Sequence, residues 1–169
     1  MGLMDVLGRY AQQSHQPPPD VLGDFDRVAQ EAPPDAIGQG LEDAFRSETT
    51  PPFEQMVGQL FGRSDPHQRA GLLNEILGSL GGAAGGGLAG SALGGLLRNA
   101  PGGNRITPEE ANNIPVSDVE KAAADAARQN PGIIQRVSRF YAEHPQLVQT
   151  LGQVALSVAM SGMARRRRV

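Results

Sequence analysis

The chain contains no cysteine and no tryptophan. Without thiols there is no disulfide frame and no thiolate zinc site, and nothing argues for an oxidising compartment. Lysine is nearly absent: Lys121 stands alone, which leaves no second lysine for a Schiff base or a phosphate clamp. Aromatic residues make up only 4% of the 169 positions. A core must therefore come from Leu, Val, Ile, Ala and Met, with five Phe. Metal and nucleophile patterns are missing too. His15, His67 and His144 lie far apart, each beside a proline or a turn. No H-x-x-x-H, H-E-x-x-H or G-x-S-x-G is present. No catalytic residue, metal ligand or cofactor site is expected.

What is abundant is glycine (22) and proline (13). That pairing predicts short helices divided by loops. The net charge of −3 is unevenly spread. Between Asp20 and Glu54, nine acids face only Arg27 and Arg46, while Arg165, Arg166, Arg167 and Arg168 form a basic end. An acidic half disfavours nucleic acid as a partner. The opening residues have no basic region, long apolar run or small-residue cleavage site, and Val6 stands where a myristoylation signal needs Ser or Thr. The expected location is the cytoplasm, with a peripheral position at the inner membrane as the alternative.

Apolar residues recur at helical spacing along most of the chain. Leu3, Val6, Leu7 and Tyr10 predict a first helix, stopped by a proline run. A repeat follows: Pro-Pro-Asp-apolar-apolar-Gly at 18–23 and again at 33–38, with a looser copy at 51–58. Each copy heads a short apolar run: Val21, Phe25, Val28; Ile37, Leu41, Phe45; then Phe53, Met56, Val57, Leu60, Phe61. Proline in the first turn and an early Asp suit helix starts. Asp65-Pro66 with Gln68 predicts a capped helix whose stripe is Leu72, Leu73, Ile76, Leu77 and Leu80. Thr107-Pro108-Glu109-Glu110 and Ser117-Asp118-Val119-Glu120 read as two more capping boxes. Asn130-Pro131 starts a helix carrying Ile133, Ile134, Val137, Phe140 and Tyr141. His144-Pro145 breaks it, and one last helix is expected from about Gln146 to Ala164. Its broad apolar face is expected to hold Leu147, Leu151, Val154 and Val158 with Val148, Ala155 and Ala159 near them, and its cations suit the negative end of the macrodipole. No segment alternates with period two. The expected fold is all-α: short helices in a small bundle with a Gly-rich centre and Pro-rich loops. Composition suggests three regions, 1–64, 65–103 and 104–169.

The central tract 78–95 is half glycine. A literal G-x-G-x-x-G occurs within it, but no strand precedes it and no Walker lysine follows. Two readings remain. As a linker, it is slack because an isolated helix with nine glycines would cost roughly 9 kcal/mol relative to alanine. As a packed zipper, Gly78, Gly82, Gly86, Gly90 and Gly94 fall every fourth residue and form a smooth ridge for another helix. The uncharged run 76–97 also has the length of a bilayer span, though glycine adds little transfer energy. The terminal arginines Arg165 to Arg168 are candidate contacts for anionic lipid or phosphate.

The opening "MGLMDVLG" and the central "GGLLRN" followed by "ITPEEA" resemble the YidB-like family of small bacterial proteins. "TPPFEQMVGQLFG" and "RVSRFYAEHPQLVQTLG" are similar to other uncharacterised bacterial proteins. The resemblance implies a helical bacterial protein with no catalytic function. The expected role is self-association, or binding of another helical protein, through the glycine-rich segment. A membrane surface is a further candidate partner. A soluble binding module with the tract as a tether is the alternative.

Overall fold

The computed structural model describes residues 2–12, 19–79 and 105–167. Among these residues there is no β-strand, and the fold is all-α. Ten α-helices are described: α1 (Leu3–Gln12), α2 (Val21–Glu31), α3 (Pro34–Arg46), α4 (Phe53–Arg63), α5 (Pro66–Ser79), α6 (Pro108–Asn112), α7 (Val116–Gln129), α8 (Gly132–Ala142), α9 (Pro145–Val148) and α10 (Gln153–Arg167). They form two compact units. One joins Met1–Pro52 to Ser138–Val169, and the other is Phe53–Val137. These limits differ from the compositional regions ending at 64 and 103. Composition marks where loops fall. It carries no information on which distant helices share a core, and here the two ends of the chain share one.

Local chemistry explains the helix starts. The Asp20 carboxylate accepts from the Gly23 N–H at 3.2 Å and caps α2. Asp65 and Gln68 cap α5 reciprocally, at 2.8 and 3.0 Å. Thr107 and Glu110 do the same for α6, at 3.3 and 2.9 Å. Proline occupies the first turn of α3, α6 and α9. The box expected at Ser117 does not form. Pro115 is the N-cap of α7 and makes no side-chain cap bond, so Ser117 already lies inside the first turn.

In the first unit, α10 packs against α1, α2 and α3. The stripes of α1 (Val6, Leu7, Tyr10), α2 (Val21, Phe25, Val28) and α3 (Ile37, Leu41, Phe45) are buried as their spacing predicts. The approach of α3 to α10 is close. A methyl added to Gly40 would sit 2.5 Å from the Ala159 carbonyl oxygen, and one added to Gly162 would strike the Asp43 carboxylate. Small residues thus let these two helices touch through their backbones. The Ser161 hydroxyl donates to the Tyr10 carbonyl at 3.2 Å, joining α10 to α1.

The last helix departs from its expected form. The chain makes α9, then a 3-10 turn over Gln149–Leu151, then bends at Gly152, whose φ is +92°. Only glycine adopts that conformation without strain. Restarting the helix beyond the bend shifts the buried face: Leu156, Met160, Met163 and Ala164 join the expected Ala155 and Ala159 inside, whereas Val154 is 50% exposed.

In the second unit, α4 packs on α7, and α5 packs on α6 and α7. Val119, Ala122, Ala123 and Ala126 of α7 are buried, as are Phe53, Met56, Val57, Leu60 and Phe61 of α4. Arg69 closes the end of α4. Its guanidinium donates to the carbonyls of Phe61 at 3.0 Å and Gly62 at 3.2 Å, and to the Asn112 amide oxygen at 2.9 Å. It also lies over the Phe61 ring, 5.1 Å from the centroid.

Candidate functional site

Four of the five zipper glycines, Gly82, Gly86, Gly90 and Gly94, lie outside the described residues. Gly78 is described. It is exposed near the end of α5, and among the described residues a methyl there would meet only the Arg136 guanidinium, at 3.7 Å, so no described backbone approaches it closely. Among the described residues, close approaches are made by Gly40, Gly58 and Gly162, glycines outside the central tract. Their signal in sequence was weak, because a single glycine in a helix marks a contact only once its partner is known.

The structure does show how both ends of the glycine-rich stretch are held. On the outgoing side, the Ser79 hydroxyl donates to the Ile76 carbonyl at 2.7 Å, and the Asn130 amide donates to the Ser79 carbonyl at 3.3 Å. On the returning side, a single side chain secures the backbone. The Ile106 N–H donates to the Asn74 amide oxygen at 2.9 Å, and the Asn74 amide nitrogen donates to the Ile106 carbonyl at 3.2 Å. Asn74 thereby satisfies both polar backbone groups of a residue whose apolar side chain is buried. Asn74 and Ser79 are five residues apart on α5, about 7.5 Å along its axis. The described residues on either side of 80–104 are thus held at neighbouring points of the second unit.

Ile76 and Leu77, the first residues of the uncharged run 76–97, are buried in the core of that unit. They are not available to a bilayer span. Residues 80–97 remain, about 27 Å as a helix against a hydrocarbon core of about 30 Å. Among the described residues, no helix is long and apolar enough to cross a membrane.

The arginine end belongs to the first unit. Arg165 is exposed. Arg166 donates two hydrogen bonds to the Asp43 carboxylate, at 2.8 and 3.4 Å. Hydrogen bonding to Asp43, and then its charge, raises the guanidinium pKa above its already high ordinary value. This guanidinium is thus engaged by α3 within the same unit. The side chain of Arg167, and Arg168 entirely, lie outside the description.

Sequence reasoning missed one polar centre. Asp24 is only 3% exposed, on α2. It accepts from the Arg9 guanidinium at 2.9 Å and from the Tyr10 hydroxyl at 3.1 Å, both on α1. Burial, and then the hydrogen bond to Asp24 and its charge, push the Tyr10 phenol well above its usual range. A buried carboxylate with a cation and a hydroxyl donor fixes how α1 lies on α2. Its described contacts tie α1 to α2. The available signal was Asp24 falling between the buried positions Val21, Phe25 and Val28. Among the described residues, no three His, Asp or Glu side chains gather as a metal site would require. No protein-family model matches the chain, nor does any curated protein or solved structure.

Proposed function

We propose that this is a non-enzymatic helical protein, of the bacterial kind its resemblance implies. It associates with itself or with another helical protein through the glycine-rich segment 78–95. The observation that carries this reading is the pair of anchors on the second unit, Asn130 to Ser79 and Asn74 to Ile106. A tether needs two separate bodies to join. These anchors hold Ser79 and Ile106 on the same unit, so the residues between them join two points of one body. Four-residue glycine spacing in a segment flanked by the anchored residues Ser79 and Ile106 suits a surface for a second helix. Contact with an anionic membrane surface is the subsidiary reading, carried by Arg165 and by the tail beyond it.

The test is light scattering coupled to size exclusion, with and without anionic vesicles. The wild-type chain is expected to exceed one chain mass. Replacing Gly82, Gly86 and Gly90 with Leu abolishes the excess, while Ser at the same positions preserves it. A single-chain mass at every concentration, together with amides in 78–95 that exchange as fast as those of an unstructured peptide, refutes the reading.

A further inference from the structure

We propose that α10 is an exchangeable helix: the groove built by α1, α2 and α3 of one copy of this chain accepts α10 of a second copy, and Gly152 is the hinge. This proposal uses the first unit and does not depend on the glycine-rich segment.

Three observations meet at the hinge. The sequence from Pro145 to Arg167 has the pattern of one continuous helix, and the structure interrupts it only over Gln149–Gly152. Gly152 is the one residue with positive φ among those described, no described atom lies within 4 Å of where its Cβ would be, and its N–H reaches the Gln149 carbonyl at only 3.5 Å, while the Thr150 hydroxyl closes the preceding turn on the Leu147 carbonyl at 2.6 Å. In a straight helix the same N–H would donate to Val148 instead. Glycine accepts both the bent and the helical conformation at this residue, while the flanking pattern is helical on both sides, which is the condition for two competing arrangements.

The groove is specific for α10 and indifferent to which chain supplies it. Gly40 receives the backbone at Ala159, Asp43 receives Arg166, and the Tyr10 carbonyl receives Ser161. All three receivers precede α4, and all three donors follow Gly152. Straightening the hinge yields a helix of 23 residues, 145–167, about 34 Å long, which carries α10 away from its own groove. Reciprocal insertion then closes a two-fold dimer that repeats every native contact of α10. Opposing this, the bent form buries Val148 and Leu151, so the closed monomer is the ground state and exchange follows transient opening.

The absence of cysteine makes the exchange directly measurable. A Cβ at position 162 would stand 3.0 Å from that of Asp43. Disulfide-bonded Cβ atoms lie about 3.5–4.5 Å apart, so a slight parting of the helices accommodates the bond. The double variant Asp43→Cys/Gly162→Cys is expected to oxidise within one chain. Chains carrying only Asp43→Cys, mixed with chains carrying only Gly162→Cys and incubated before oxidation, are expected to yield a 43–162 disulfide between chains, identified by peptide mapping. Gly152→Ala penalises the bend and favours the straight helix in both chains, so it is expected to raise the dimerisation constant on the order of tenfold to thirtyfold. Gly8→Ala, on an open helical face, is the control and leaves it unchanged.

If the double variant closes within a chain but the mixed single variants never join at 43 and 162, α10 does not exchange. A Gly152→Ala chain that stays folded and monomeric overturns the hinge. Should Gly152→Ala fail to fold, the cysteine mixture, which leaves Gly152 intact, still decides. Replacing Gly82, Gly86 and Gly90 with Leu is expected to leave the 43–162 bridge in place, which separates this proposal from association through segment 78–95.

Discussion

Adding one methyl group at Gly40 tests the packing of the first unit most sharply. In Gly40→Ala the new Cβ lies 2.5 Å from the Ala159 carbonyl oxygen and 2.8 Å from Met163 Cγ. Ordinary contacts begin at 3.4 Å, so the oxygen contact is short by about 0.9 Å. Met163 is able to swing aside, but the Ala159 carbonyl belongs to the α10 backbone. Helices α3 and α10 must therefore separate by most of that distance, loosening Leu41, Ala44 and Ala159. Overpacking of this kind costs about 1–3 kcal/mol. Alanine's better helix preference offsets about 0.5–1 kcal/mol. The net expectation is a loss of about 0–2.5 kcal/mol, centred near 1. Gly8→Ala supplies the comparison. It makes the same chemical change in α1, where no described atom lies within 4 Å, and should gain about 0.5–1 kcal/mol. The assay is urea denaturation followed by tyrosine fluorescence, because Tyr10 and Tyr141 both belong to the first unit and tryptophan is absent. Adding Met163→Ala to Gly40→Ala should not restore stability, since the carbonyl remains. The reasoning fails if Gly40→Ala matches Gly8→Ala, or if it unfolds at a higher urea concentration than the wild type.

Two further outcomes follow from the polar contacts. The Tyr10 phenol is held above its unfolded value near 10, first by burial and then by Asp24. A raised folded-state pKa leaves its contribution whole below about pH 10 and removes it as pH rises further, because the unfolded chain ionises first. Urea midpoints followed by circular dichroism should therefore fall between pH 9 and pH 11 in the wild type, and fall less in Tyr10→Phe; equal slopes would remove the assignment. In the second unit, Asn74→Ala takes away both partners of the Ile106 backbone. It is expected to cost about 1–3 kcal/mol and to speed hydrogen exchange at the Ile106 amide. An unchanged exchange rate there would mean that the returning end is held by something other than Asn74.

Most of the helices were legible in the sequence because their causes are local. Prolines in first turns, the reciprocal caps at Asp65/Gln68 and Thr107/Glu110, and apolar stripes such as Ile37, Leu41 and Phe45 each act within a few residues of chain. Those features determined an all-α protein and most of its buried faces. The bend at Gly152 was not legible, since Gln149 to Gln153 carries a helical pattern and glycine alone does not say whether a helix will continue. Only tertiary packing decided it: Ala159 and Gly162 must lie flush on α3, and reaching that position requires a positive φ. The same holds for the partition of the chain. Asp43 meets Arg166, and Tyr10 meets Ser161, across more than a hundred residues. Contacts at that separation leave no periodic trace, because each depends on surfaces that exist only after both helices have formed.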